Sequence, residues 1–182
     1  MKQITLLVFI ATTLFGCAQS TKQSNKQTNN SVAMTTPANM GLNKADTNWT
    51  TKVEKTNAEW KKQLTAKQYY ITRQQGTEAP FSNSYNDNHE KGMYYCVSCH
   101  NPLFSSATKF NSGTGWPSFF AAYSHKSLNK SADESDGMSR DEISCQRCHA
   151  HLGHVFNDGP APTGLRYCMD GDALIFQKED VK

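Results

Sequence analysis

The sequence lacks the features that mark three large classes of protein. Its longest apolar run falls well short of the about 20 residues that a membrane-spanning helix needs. Its net charge is only +3 and its lysines are scattered rather than gathered into a basic stripe, so we expect no nucleic-acid partner. It has no internal repeat and no long hydrophobic heptad pattern. What it does have is an uneven set of six cysteines.

The first residues predict export. Met1 and Lys2 make a short basic start, residues 4–15 form an apolar run of signal-peptide length, and Gly16 and Cys17 follow. This ending is similar to a bacterial lipoprotein cleavage box. We therefore expect residues 1–16 to be a signal peptide and Cys17 to be lipidated; ordinary cleavage further along the chain is the alternative.

Residue 18 bears on where such an anchored protein would lie. Ala18 stands in place of the aspartate that often retains lipoproteins at the inner membrane, which favours the periplasmic side of the outer membrane. Residues 17–47 are rich in Ser, Thr, Asn, Gln and Lys, so they bury too little apolar surface to fold and predict a flexible tether. Residues 48–182 have a length that suits one compact domain.

The domain reads as mainly β with two short helices at its start. We predict one helix over residues 56–64 and a second after a capping box formed by Thr65 and Gln68, with Tyr69 and Tyr70 facing inward. Six short strand-like runs follow, at residues 92–96, 102–104, 142–144, 154–156, 165–168 and 173–176. Turn residues separate these runs, and residues 131–137 predict a polar surface loop, so an antiparallel arrangement is expected.

Four cysteines form two CxxC pairs, each followed by histidine: Cys96-Val-Ser-Cys99-His100 and Cys145-Gln-Arg-Cys148-His149. Two such pairs supply the four thiolates of a tetrahedral zinc site. The same CxxCH pattern is the attachment site of c-type haem, so a periplasmic dihaem electron carrier is an alternative function. In an oxidising compartment, the pairs are also compatible with disulfides. The residues alone leave all three interpretations open.

Cys168 belongs to no CxxC pair, and polar residues lie near it in the sequence. A single buried cysteine is often a small core residue. Here, however, Arg166 shares its strand face, and His151 and His154 precede it by a short distance, which favours a reactive thiolate. Trp116 follows two glycines and predicts either a core residue or the wall of a small apolar pocket.

Four segments together resemble the methionine sulfoxide reductase B family. They are AEWKKQLTAKQYYITRQQGTEAPFS (58–82), GTGWPSF (113–119), GMSRDE (137–142) and CQRCHAHLGHVFNDGPAPTGLRYC (145–168). The resemblance implies two antiparallel β-sheets and one structural zinc ion on Cys96, Cys99, Cys145 and Cys148, which places zinc ahead of haem. It also implies reduction of the R epimer of methionine sulfoxide, free or in oxidised proteins.

The resemblance also implies roles for the remaining site residues. Cys168 is expected to be the nucleophile and to become a sulfenic acid, Trp116 to receive the substrate methyl group, and His151 and His154 to handle the sulfoxide oxygen and its proton. Asp170 stands where family members often carry asparagine, and its charge is unfavourable beside a thiolate unless it is protonated or paired.

Position 114 is the second departure from the family. Thr114 stands where many members carry a second, resolving cysteine. We therefore expect a one-cysteine cycle, in which an external thioredoxin-like dithiol reduces the Cys168 sulfenic acid.

Overall fold

The computed structural model describes residues 51–180, except for the side chain of Asp136. The predicted signal peptide, Cys17 and the tether lie outside these residues. No helix within the described part of the chain has the length and apolarity to cross a membrane.

Two short helices open the domain, as predicted. α1 spans Asn57–Gln63 and α2 spans Ala66–Gln74, and each begins with a complete capping box, on Thr56 and Thr65. The prediction that both tyrosines of α2 face inward is wrong for one of them, because Tyr69 is buried while Tyr70 is 52% exposed. Successive helical residues point about 100° apart, so the buried face of α2 takes in Tyr69, Ile71 and Thr72 while Tyr70 points to solvent.

Nine strands within residues 51–180 build two antiparallel sheets. They are β1 (Gly92–Cys96), β2 (Pro102–Ser105), β3 (Lys109–Phe110), β4 (Ser118–Phe119), β5 (Leu128–Asp133), β6 (Arg140–Cys145), β7 (His151–Phe156), β8 (Arg166–Met169) and β9 (Leu174–Lys178). The smaller sheet has the order β2-β1-β9 and the larger one the order β3-β4-β8-β7-β6-β5. The predicted fold class, mainly β with two antiparallel sheets and short leading helices, is confirmed.

An aromatic core joins the two sheets. Phe104 of the smaller sheet stacks on Phe119 of the larger sheet with ring centroids 4.4 Å apart, and Tyr94 meets Phe119 edge-on at 5.0 Å. All three side chains are fully buried. Such pairs add to the free energy gained from burial alone, so this cluster fixes how the sheets face each other.

The prediction of a surface loop over residues 131–137 is wrong in its first half. Residues 131–133 end strand β5, which pairs with β6 at the sheet edge, and a short 3-10 turn spans Ser135–Gly137. Three of the six side chains of this strand are exposed and the other three are half-buried, so its sequence shows no alternation of apolar and polar residues that would predict a strand. Its last residue, Asp133, contacts His154 of β7.

Candidate active site and metal centre

Cys168 lies in the middle of the larger sheet. The register of β8 places it directly opposite His154 of β7 on one side and Ser118 of β4 on the other. The nearest cross-strand neighbours in an antiparallel sheet have Cβ atoms only about 5 Å apart. Strand pairing alone therefore brings the predicted nucleophile and one predicted histidine together.

A bulge places the second histidine on the same side of the sheet. Residues three apart in a regular strand face opposite ways. In β7, Gly153 pairs with Ile143 while His151 pairs with Ser144, which leaves Leu152 as an extra residue. The two imidazole rings consequently lie 5.5 Å apart. A Cβ on Gly153, whose φ is +141°, would lie 2.2 Å from the Cys168 carbonyl oxygen, so only glycine fits there.

A small pocket opens beside the Cys168 thiol. Its volume is about 140 Å³ and its lining comprises Thr77, Trp116, Arg140, Gly153, His154, Phe156, Cys168 and Asp170. Ligand sites for whole drug-sized molecules measure about 300–1,000 Å³. This pocket is therefore sized for the tip of a side chain. A larger groove of about 700 Å³ on the smaller sheet has neither a cysteine nor a tryptophan in its lining.

The histidines differ in depth and are each oriented by a carboxylate. His154 lines the pocket and contacts Asp133 through Nε2 at 2.8 Å. His151 is almost fully buried and contacts Glu142 through Nδ1 at 2.7 Å. Burial lowers the pKa of His151 despite that contact, so its ring is neutral near pH 7 with the Nδ1 hydrogen donated to Glu142. Its Nε2 has no hydrogen-bond partner within residues 51–180.

The chemical environment of Cys168 differs from the expectation of an ionised thiol. Burial raises the pKa of the Cys168 thiol; Thr114 and Arg166 oppose the rise and the Asp170 charge adds to it. Arg166, which also forms a two-fold ion pair with Asp158 at N–O distances of 2.9 Å, does not offset the effect of burial. In the unliganded site the uncharged thiol is therefore the favoured form.

Thr114 faces Cys168 from the glycine-rich segment. Its hydroxyl oxygen lies 3.9 Å from the Cys168 sulfur, and it continues through Ser112 to Ser118 by two 2.8 Å contacts. Position 114 thus adjoins the nucleophile, as the resemblance implies, but presents a hydroxyl in place of a thiol.

Asp170 is buried at the pocket wall and held by the segment after α2. Its Oδ1 accepts a hydrogen bond from the Glu78 backbone N–H at 2.8 Å, and its Oδ2 lies 3.8 Å from Nε2 of His151. Burial raises the pKa of Asp170 to about 7, with the charges of Glu78 and Asp172 adding to the effect. Near neutral pH a large fraction of the carboxyl is therefore uncharged.

Trp116 is fixed by the same segment. Its indole N–H donates to the Glu78 carbonyl oxygen at 3.1 Å, and its ring lines the pocket. Pocket wall is thus the correct choice between the two interpretations of this tryptophan. Glu78, Asp133 and Glu142 were missed as site residues, although Glu78 and Glu142 lie in the segments 58–82 and 137–142 that carry the family resemblance.

The four paired cysteines gather at one point. Their sulfur atoms all lie within 4.8 Å of one another, with Cys96 and Cys148 3.7 Å apart and Cys99 and Cys145 3.5 Å apart. These separations exceed the about 2.05 Å of a disulfide bond. They also place both pairs around one centre, which does not support two separate haem attachment sites. A single metal ion on four thiolates suits the arrangement.

Neighbouring side chains support this cluster from outside. Arg73 of α2 donates to the Cys148 carbonyl oxygen at 2.8 Å and to its sulfur at 3.4 Å, and its guanidinium stacks on Trp60 at 4.0 Å. Asn101 donates to the Cys145 sulfur at 3.6 Å. Donors of this kind orient metal ligands and offset the charge of thiolates.

The histidines that follow each CxxC pair close its turn. His100 and His149 adopt left-handed backbone conformations with φ of 58° and 55°. Their backbone N–H groups donate to the carbonyl oxygens of Cys96 and Cys145, at 2.8 and 2.9 Å. The two CxxCH segments therefore form tight turns of the same backbone conformation.

Comparisons with known proteins agree with this geometry. The SelR domain model matches residues 64–178. Proteins named peptide methionine sulfoxide reductase MsrB are similar to this chain over most of their length. That of Herminiimonas arsenicoxydans is 54% identical over 127 residues, which cover 70% of this chain and 93% of that protein. That of Leptospira interrogans is 53% identical over 127 residues, covering 70% and 97%. That of Methanosarcina barkeri is 54% identical over 128 residues, covering 70% and 90%.

Proposed function

Because this chain belongs to the peptide methionine sulfoxide reductase MsrB family, we propose that it reduces the R epimer of methionine sulfoxide, in oxidised proteins or free, to methionine. Reduction of methionine sulfoxide by an oxidoreductase comes with the family; the epimer and the mechanism are our proposal. The observation that carries it is the position of the Cys168 thiol at the wall of a small pocket beside Trp116, His154 and Asp170.

Cys168 is the nucleophile in this proposal. Its sulfur bonds to the sulfoxide sulfur, the oxygen passes to Cys168, and methionine leaves with its thioether restored. Cys168 is oxidised by two electrons to a sulfenic acid and the substrate sulfur is reduced by two. The single proton of the thiol ends on the sulfenic hydroxyl, so the step needs no other proton source.

The two histidines handle that proton. His154 lies across the sheet from Cys168 and is held through Nε2 by Asp133. Its Nδ1 is therefore the nitrogen that takes the thiol proton and returns it to the sulfoxide oxygen. His151 is more deeply buried and is oriented by Glu142. Its Nε2 lies near Asp170 and helps to position the proton on the sulfoxide oxygen.

Trp116 and Asp170 bind the two ends of the sulfoxide group. The indole ring supplies an apolar surface for the methyl group. The uncharged Asp170 carboxyl donates a hydrogen bond to the oxygen, a contact that an asparagine amide can also make. Its charged form cannot donate, and it also opposes formation of the Cys168 thiolate.

An external thiol completes the cycle. With Thr114 beside Cys168 and the four paired cysteines gathered elsewhere, the described chain offers the sulfenic acid no nearby thiol. A thioredoxin-like dithiol then reduces Cys168 to the thiol and leaves as a disulfide, with release of one water.

The four-cysteine cluster is proposed to hold one structural zinc ion. Zn–S bonds of about 2.3 Å in a tetrahedron place sulfurs roughly 3.8 Å apart. The Cys96–Cys148 and Cys99–Cys145 distances of 3.7 and 3.5 Å fit that spacing. The ion would join the turn after β1 to the turn after β6, one from each sheet.

Export and lipidation remain part of the proposal on sequence grounds. The apolar run at residues 4–15 and Cys17 support a signal peptide and a lipid anchor in the bacterial envelope, facing the periplasm, with Ala18 favouring the outer membrane. The substrates would then be oxidised envelope proteins.

The proposal is tested by turnover of resolved epimers. Wild type and Cys168→Ser are given peptides containing R- or S-methionine sulfoxide with a dithiol reductant, and methionine is quantified. We expect turnover of the R epimer by wild type and loss of at least 10³-fold in Cys168→Ser, since the nucleophile is gone. Turnover of the S epimer, or unchanged activity of the variant, contradicts the proposal.

A further inference from the structure

Glu78 is a buried acidic residue, and each of its polar groups forms a hydrogen bond with Trp116 or with residues 170–172. The side chain is only 4% exposed. Its backbone N–H donates to Asp170 at 2.8 Å and its carbonyl oxygen accepts from Trp116 at 3.1 Å. Its carboxylate accepts the backbone N–H groups of Gly171 and Asp172 at 2.7 and 3.1 Å.

These hydrogen bonds run in both directions between Glu78 and residues 170–172, two segments far apart in sequence, and are called the bracket below. The carboxylate of Glu78 accepts hydrogen bonds from the turn that follows Asp170. In return, the carboxyl group of Asp170 accepts a hydrogen bond from the backbone N–H of Glu78. Neither side can shift without breaking a buried hydrogen bond and leaving a polar group unsatisfied in the protein interior. The bracket therefore fixes Asp170 and Trp116 against each other at the pocket wall.

The bracket also distributes charge unevenly among three acidic groups. Glu78 receives two backbone N–H donors, which stabilise its ionised form against the effect of burial. Asp172 forms an ion pair with Lys67. Asp170 receives only one N–H donor and faces the neutral ring of His151 and the Cys168 thiol. Burial raises the pKa of Glu78 as well as that of Asp170, but two N–H donors oppose the rise at Glu78 and only one opposes it at Asp170.

We propose that Glu78 is a positioning residue of this site: it fixes Asp170 and Trp116 at the pocket wall and places its own carboxyl group close to that of Asp170, which opposes a second negative charge there. The inference rests on the proposed function, because an uncharged Asp170 matters only if it donates to the sulfoxide oxygen. It assigns a role to a residue that touches neither the substrate nor the reacting sulfur.

An infrared titration tests the charge directly. A protonated carboxyl has a C=O stretching band that a carboxylate lacks, so the full chain as purified is titrated and the band followed. We expect a band that disappears with a midpoint near 7 in wild type, matching the raised pKa of Asp170, and that is absent in Asp170→Asn. Absence of the band in wild type overturns the proposal.

Two variants should move the midpoint in opposite directions. Glu78→Gln removes a neighbouring negative charge and should lower it by about one pH unit or more. Lys67→Met removes a positive charge that favours the ionised form of Asp170, so it should raise the midpoint. Lys67 is half exposed, and this variant therefore keeps the test decisive if Glu78→Gln does not fold. Glu90→Gln, at an exposed carboxyl paired with Lys178, is the matched control and should shift nothing.

Kinetics test the positioning. Glu78→Ala loses the carboxylate grip and should raise the KM for a sulfoxide peptide several-fold, while Glu78→Gln keeps one acceptor and should retain more of the affinity. The fall of kcat/KM at high pH should begin at lower pH in Glu78→Gln than in wild type. Unmoved midpoints in folded variants overturn the role of Glu78 alone. Shifted midpoints in a chain that reduces no sulfoxide overturn the proposed function alone.

Discussion

Asp170 shows how one side chain can change the pH range of a reaction without changing its chemistry. Asparagine is neutral at every pH, whereas an aspartate at this position is equivalent to it only while protonated. Burial raises the pKa of Asp170 to about 7, so the carboxyl donates a hydrogen bond below that pH and loses the ability above it. A charged Asp170 then also opposes the Cys168 thiolate.

Asp170→Asn should therefore broaden the active pH range upward. In wild type, kcat/KM should fall as pH rises through about 7, because a raised folded-state pKa means that the required proton is lost there. In the variant this fall should vanish, giving about tenfold higher kcat/KM than wild type near pH 8, since one pH unit above a pKa leaves about one-tenth protonated. Steady-state assays from pH 5 to 9 measure kcat/KM of wild type and variant. A fall near pH 7 that persists in the variant contradicts the role of Asp170.

Thr114 makes a second prediction about a single side chain. Thr114→Cys should form a disulfide with Cys168 after turnover, because the side-chain oxygen at this position lies 3.9 Å from the Cys168 sulfur. The new thiol displaces water from the sulfenic acid. With one equivalent of substrate and no reductant, wild type should gain one oxygen by mass, whereas the variant should lose two hydrogens.

Ser112→Cys is the control for that experiment. Ser112 contacts Thr114 and Ser118 rather than Cys168, so its thiol should not be consumed. A Thr114→Cys protein that only gains an oxygen would show that the two side chains do not meet in solution.

The four-cysteine cluster gives the two sheets a second connection besides the aromatic core. Its ligands come from the turns after β1 and β6, one in each sheet, and Arg73 ties α2 to one ligand. α1 contributes Gln63, which donates to the Ser98 carbonyl oxygen at 2.6 Å within the first turn. Both helices are short, and helices of this length depend on tertiary contacts for their stability.

Cys99→Ser should consequently lose zinc and much of its stability. We expect no stoichiometric zinc by elemental analysis and a Tm lower by about 10 °C or more, since several kcal/mol of binding free energy couple to folding. Cys168→Ser is the matched control and should keep both its zinc and its Tm. Equal metal content in Cys99→Ser and wild type would contradict the assignment of this cluster.

Short sequence motifs predicted those elements whose start depends on residues close together in the sequence. The capping box of Thr65 and Gln68 predicted where the second helix starts, because it is complete within four residues. The β7 bulge was not predictable, since it depends on the register against β6. Strand β5 was missed because an exposed edge strand needs no alternation of apolar residues.

The site divides in the same way. Cys168, Trp116, the two histidines and the paired cysteines were predicted as site residues because their residue types and family motifs point to chemistry, and the fold brings each set together. Glu78 and Asp133 were not, because their significance arises from partners that the fold supplies from 92 and 21 residues away. The expected ionisation of Cys168 was wrong for a related reason: burial, and the engagement of Arg166 with Asp158, are properties of the folded chain.

The intact protein is predicted to be an anchored enzyme whose domain is carried on a tether. Cells making wild type or Cys17→Ser are labelled with a radioactive fatty acid, and membrane and soluble fractions are compared. Wild type should incorporate label and sediment with membranes, because an acylated cysteine adds apolar area that the lipid bilayer buries. The variant should do neither. Label on the Cys17→Ser chain, or an unlabelled wild type, contradicts the anchor.

A single turnover without reductant is the most direct test of how this protein works. One equivalent of peptide containing R-methionine sulfoxide is mixed with fully reduced protein, and the products are identified by mass spectrometry of the peptide and the digested protein. The proposed mechanism predicts one methionine per chain and one added oxygen on Cys168 alone, trapped by a sulfenic-acid reagent. Methionine formed while Cys168 stays a reduced thiol, or an oxygen found on a zinc-pair cysteine, would contradict it.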